Sequence, residues 1–174
     1  VGEALGFLHR RGLLHQDVKP ANVFIGQGVY KLGDLGTLRR VDDPSGEYAG
    51  SPHYLAPELF LGARPSPASD AYAFGVLAYE LLTGKRPFQG EDLEALRMAH
   101  LLTPPPRTSL PPPLDRALRR LFAKRPEVRL GLQKAFLLPV KHQVGPPSKA
   151  VQSPLPQGVA QEAQKGGKLG VVGP

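Results

Sequence analysis

Asp17, Lys19 and Asn22 lie within the segment LHQDVKPANVFI, residues 14–25. They bring together an acid, a base and an amide, the side-chain types from which acid–base chemistry and the handling of charge are built. Leucines precede them and Val23, Phe24 and Ile25 follow, so both flanks read as anchored in a core. Three polar side chains packed inside a core would be costly unless they face a cleft. The trio therefore reads as a site.

The surrounding elements must hold it there. Residues 1–12, VGEALGFLHRRG, place Ala4, Leu5, Phe7 and Leu8 at helical spacing and end on Gly12, which reads as the last turns of a helix. The chain starts without methionine or a capping signal, as if inside an element, and this predicts a missing segment upstream. NVFI and VYKL flank GQG and predict a small β-hairpin over residues 23–32. Pro57 and Glu58 open a short helix near 57–61. From Ser69, read as the cap, about fourteen residues run to Gly84 and are apolar nearly all the way round, which predicts a central, buried helix. Two amphipathic helices follow over 91–102 and 113–124, the second with Leu114, Leu118, Leu121 and Phe122 on one stripe. TPPPRTSLPPP between them reads as an extended connection, or alternatively as a Pro-motif ligand.

Composition narrows the possible functions. The chain has 174 residues and is 41% hydrophobic, enough to bury a core in about one domain. It has no cysteine, so a disulfide framework and a thiolate metal site are both excluded, in keeping with a reducing, cytoplasmic setting. No signal peptide and no transmembrane run is present. The net charge of +7 is uneven: after Arg129 five lysines face Glu162 alone, which puts +4 in the tail. That tail has no aromatic residue after Phe136, so it lacks the stacking platforms of a single-strand binder, and no nucleic-acid partner is expected. From about residue 139 it turns to Pro, Gly, Gln, Ser and Lys and reads as disordered and solvated.

HQDVKPAN (15–22), GDLG (33–36), APE (56–58) and SDAYAFGV (69–76) occur in an order and spacing that resembles the catalytic half of a eukaryotic-like, bacterial-type serine/threonine protein kinase. The resemblance covers residues 1–138. It implies a mainly α (α+β) fold, the kinase-like C-terminal lobe with a small β-hairpin at the catalytic cleft, and a low-complexity tail over 139–174. The implied reaction is phosphoryl transfer from Mg2+-bound ATP to a serine or threonine hydroxyl of a protein substrate. Such chemistry needs charge placed accurately more than it needs covalent help. By resemblance, Asp17 would orient or deprotonate the hydroxyl, and Lys19 would set a positive charge against the γ-phosphate. Asn22, the only asparagine in the chain, and Asp34 would give oxygen ligands to magnesium, with Gly36 letting the backbone bend.

The resemblance also implies supporting roles. Ser51, in GSPHYLAPE, would hydrogen-bond Asp17 and Lys19 as in the serine/threonine branch. Glu58 and Arg129 would form a buried ion pair. Asp70 would accept hydrogen bonds from the backbone around His15. One departure matters: Gln16 stands where the family carries an arginine that helps bind a phosphate on the activation segment. This implies that phosphorylation between Thr37 and Tyr54 is not the main switch. The family's N-terminal β lobe, with its glycine-rich loop and lysine strand, is absent from the sequence. The isolated chain is therefore expected to bind ATP poorly and to expose an apolar face, with the missing lobe as a possible partner. The alternative function is a noncatalytic, kinase-like interaction module.

Overall fold

Residues Pro67–Thr83 form α3, and their composition explains its place. Ala71, Tyr72, Ala73, Gly75, Val76, Leu77 and Tyr79 are all buried, so the helix is wrapped by its neighbours instead of lying on a surface. The computed structural model describes residues 1–45, 48, 50–129 and 131–132. These residues fall in the unit Val1–Pro139. The tail assigned to 139–174 lies outside the described residues.

The cap of α3 is Ser66, not Ser69 as expected from the sequence. Ser66 Oγ accepts from the Ser69 amide at 3.3 Å and Ser69 Oγ accepts from the Ser66 amide at 2.9 Å, a reciprocal cap of a kind worth about 1 kcal/mol. Pro67 is accommodated at the first helical position because the amide hydrogen it lacks would have no partner there. The helix is therefore 17 residues long, longer than expected, and ends at Gly84.

Helix α1 (Gly2–Arg10) leads into β1 (Leu13–Leu14). The predicted hairpin is β2 (Val23–Gly26) with β3 (Val29–Leu32), paired antiparallel from Val23↔Leu32 to Gly26↔Val29. Gln27 and Gly28 between them both take left-handed φ, 53° and 74°, the turn whose twist matches that of the strands. A second two-stranded sheet, β1 with β4 (Arg39–Arg40), was not anticipated, since two-residue strands carry no readable alternation.

Beyond the short α2 (Pro57–Phe60), α4 (Leu93–Leu102) is capped by Asp92, whose side chain accepts from the Ala95 amide, so it starts two residues later than expected. Helix α5 spans Pro112–Leu121, not 113–124. Its first two positions are Pro112 and Pro113, which the first turn tolerates for the same reason as Pro67. Leu118, Leu121 and Phe122 bury their side chains in the core while Leu114 is partly exposed. A Cβ built on Gly75 would come within 2.9 Å of Leu121 Cβ, so a larger residue there would push α5 off α3. No described helix is long and apolar enough to cross a membrane.

A polar pair lies among the core's aromatic rings. Tyr72 Oη and His100 Nδ1 lie 2.9 Å apart, ringed by Phe60, Phe88 and Phe122, while Lys124 Nζ donates to the His100 carbonyl at 2.6 Å. Burial above all, with Lys124 and His53 adding to it, pushes His100 from an ordinary 6.5 down to about 3. The folded protein thus keeps this ring neutral while the unfolded chain takes up a proton below 6.5. Stability is fully present above that value and declines as the pH falls toward about 3, by up to about 1.4 kcal/mol per pH unit. Urea unfolding between pH 7 and pH 4 should show this slope, and His100→Gln should flatten it.

Candidate active site

The loop carrying Asp17 is fastened from beneath by Asp70, at the start of α3, where the helix dipole favours a carboxylate. Asp70 Oδ2 accepts from the His15 amide at 2.8 Å and Oδ1 from the Gln16 amide at 2.9 Å. It also accepts from His9 Nε2 at 2.9 Å, a contact not foreseen. Spacing held a clue, because His9 stands four residues after the fully buried Leu5 and so shares its inward face of α1. Gln16 has φ 70°, a left-handed conformation uncommon for this residue, and the Asp70 bonds act on it directly.

Asp17 is the hub of the polar trio. Its Oδ2 receives Lys19 Nζ at 2.6 Å and Asn22 Nδ2 at 3.0 Å; its Oδ1 receives the amide and the hydroxyl of Ser51, both at 3.2 Å. Asn22 Nδ2 also donates to the Asp17 carbonyl at 2.8 Å, and Lys19 Nζ donates to Ser51 Oγ at 3.2 Å. Asp17 and Asn22 are buried and Lys19 is partly exposed. Burial acts most strongly on Asp17 and raises its pKa, but the Lys19 ammonium and the hydrogen bonds from Asn22 and Ser51 together outweigh it and hold the carboxyl below 3.8. Asp17 is therefore ionised at neutral pH. Its contribution to stability is present above 3.8 and is lost as pH falls through the lower folded value.

Asp34 follows the hairpin directly in the chain. The Gly33 amide donates to the Asn22 carbonyl at 2.9 Å, closing the hairpin's open end one residue before Asp34. Asp34 itself takes the left-handed turn, with φ 55° and ψ 70°. This corrects the role expected of Gly36, which has no positive φ and lies in the short 3-10 turn Leu35–Thr37. A Cβ at Gly36 would meet Asp34 Oδ1 at 3.4 Å, an ordinary contact. His15 Nε2 donates to the Gly33 carbonyl at 2.9 Å, and Thr37 Oγ1 donates to the His15 carbonyl at 2.8 Å.

Glu58 and Arg129 form a two-pronged pair with distances of 2.7 and 2.8 Å. Arg129 also donates to the carbonyls of Ala68, Ala123 and Lys124, which ties α2, the start of α3 and the segment after α5 together. Asp17, Lys19, Asn22 and Ser51 converge on one place, with Asp70 beneath their loop; Glu58 and Arg129 make a separate buried tie. Among the described residues no group of three His, Cys, Asp or Glu side chains could hold a metal by itself.

Residues 1–140 match the family described as the protein kinase domain. Similar curated proteins include the serine/threonine-protein kinase PknA of Mycobacterium tuberculosis, 37% identical over 177 residues, which covers 90% of this chain and 41% of that protein. The serine/threonine-protein kinase Pkn1 of Myxococcus xanthus is 39% identical over 151 residues, 78% of this chain and 22% of that protein. The serine/threonine-protein kinase PknF of Mycobacterium tuberculosis is 36% identical over 159 residues, 83% of this chain and 33% of that protein. The chain thus spans well under half the length of these curated relatives.

Proposed function

The chain belongs to the protein kinase domain family, of the bacterial serine/threonine type, and from that premise we propose that it carries the C-terminal-lobe chemistry of an ATP-dependent protein kinase acting on serine or threonine hydroxyls. The observation that carries this reading is the set of donors converging on Asp17 from Lys19, Asn22 and Ser51. An ionised carboxylate held in that way can accept a hydrogen bond, and then a proton, from an incoming hydroxyl. Lys19 lies at the same point and would neutralise charge on the transferred phosphoryl group. Ser51 sets the spacing between the two.

The residues present fit a magnesium-bound nucleotide. Asn22 commits its amide nitrogen to Asp17, which leaves its oxygen for a cation, and Asp34, next in the chain after the Gly33 that bonds the Asn22 carbonyl, offers an exposed carboxylate. Two hard oxygen donors suit Mg2+, which takes its remaining ligands from phosphate and water. When bound, the metal neutralises charge on the phosphates, while the protein's task is to hold Asp17, Lys19, Asn22 and Asp34 in register.

We assign residues 1–138 to the kinase domain and 139–174 to a separate tail, with a cytoplasmic setting. An N-terminal lobe is the proposed partner for the hairpin, where Phe24, Ile25, Val29 and Tyr30 are each more than half exposed. The lack of a cation at Gln16 supports a mode of regulation in which phosphate on the 37–54 segment is not the main switch. The test uses the protein encoded by the complete reading frame around this chain, with labelled ATP, Mg2+ and a generic protein substrate. Label on serine or threonine is expected; binding of partner proteins without transfer would favour the noncatalytic module.

A further inference from the structure

We propose that Thr37 is a positioning residue that locks the turn carrying Asp34 to the loop carrying Asp17; the inference deepens, and rests on, the kinase reading. The peptide unit joining His15 to Gln16 is held at both ends. Its N–H donates to Asp70 Oδ1 at 2.9 Å, and its carbonyl accepts from Thr37 Oγ1 at 2.8 Å. The next rotation along the chain is the φ of Gln16, at 70°, and Asp17 follows directly. A side chain unsuited to that conformation stays in it only where its surroundings over-determine it, and Thr37 and Asp70 do so from opposite ends of one peptide plane.

The same hydroxyl acts on Asp34. The turn 33–37 is pinned to His15 at its start, where the His15 ring donates to the Gly33 carbonyl at 2.9 Å, and at its end by Thr37. Between those pins Asp34 holds φ 55° and ψ 70° with an exposed side chain, and the 3-10 turn after it closes with one amide bond, from Leu38 to the Leu35 carbonyl at 3.2 Å. Without Thr37 the end of the turn loses its only side-chain tie to the catalytic loop among the described bonds. Thr37 bonds to none of the trio in the described contacts; it fixes the turn carrying Asp34 relative to the loop carrying Asn22 through His15.

Thr37→Val removes the hydroxyl at nearly constant volume, and Thr37→Ser keeps it. In the 174-residue chain, the Val variant should speed amide exchange at Gln16 and Leu38 by about tenfold while the β2–β3 amides keep the parent rates; the Ser variant should behave as the parent. In the complete protein, the Val variant should raise the Mg2+ concentration for half-maximal rate about 10-fold, the size seen when a group behind a metal ligand is removed, with KM for the protein substrate unchanged. Unchanged exchange in the Val variant overturns the lock. So does a uniform rise over the whole chain, which marks a general loss of stability, or a Ser variant that matches Val. If the parent transfers no phosphate, the kinase reading fails while the exchange measurement still decides the lock.

Discussion

Asp17→Asn, in the protein encoded by the complete reading frame, should transfer phosphate to a protein hydroxyl about 10²–10⁴-fold more slowly than the parent, the range that a positioned base contributes. The substitution keeps the shape of the side chain and removes its charge. Lys19 at 2.6 Å then faces a neutral group, and one of the two oxygens that accept from Ser51, Asn22 and Lys19 becomes a donor. The incoming hydroxyl meets no ionised acceptor. Initial rates with labelled ATP give the ratio, and a thermal melt within a few degrees of the parent shows that the loss is chemical. Equal rates would remove Asp17 from the mechanism.

The second large effect is on stability. Glu58→Gln should cost about 3–5 kcal/mol, because it strands the Arg129 guanidinium, which is fully buried in its side chain, with a neutral partner. For a chain of this size that corresponds to a fall in Tm of roughly 6–20 °C. Urea unfolding measures the energy directly. The double variant Glu58→Gln with Arg129→Met should lose less than the sum of the two single losses, since neither leaves a charge behind when both are gone. The carbonyls of Ala68, Ala123 and Lys124 that Arg129 satisfies would still be deserted, so recovery should be partial. If Glu58→Gln costs less than about 1 kcal/mol, the pair behaves like an exposed one and is not the tie that the geometry suggests.

The two substitutions act on different parts of the molecule. Asp17 sits in a loop, and its removal leaves the core contacts of α3 and α5 in place. Glu58 and Arg129 touch none of the trio, yet they tie the segment after Ser51 to the start of α3, whose Asp70 holds the loop carrying Asp17. A fall in activity with Glu58→Gln should therefore track unfolding and be recovered at lower temperature, whereas that of Asp17→Asn should not.

Short-range physics made much of this legible in the residues alone. The hairpin follows from two apolar runs around Gln27 and Gly28, and the buried central helix from a stretch with no polar face ending at Gly84. Asp17, Lys19 and Asn22 are neighbours in the chain, so their convergence needed only a tight local bend. Errors fell at element ends, where Ser66 and Ser69 are chemically equivalent caps and only the path of the chain chooses between them.

Tertiary structure decided what joins distant residues. His9 lies 61 positions from Asp70, and Thr37 lies 22 from His15; neither residue type nor spacing specifies such partners, because they meet only once α1, α3 and the two small sheets have packed. The strained φ of Gln16 and the space kept by Gly75 likewise depend on atoms contributed from elsewhere. Local periodicity and turn chemistry act within a few residues and are written in the chain. The distances that align one charged group with another are fixed by close packing, which the chain satisfies only as a whole.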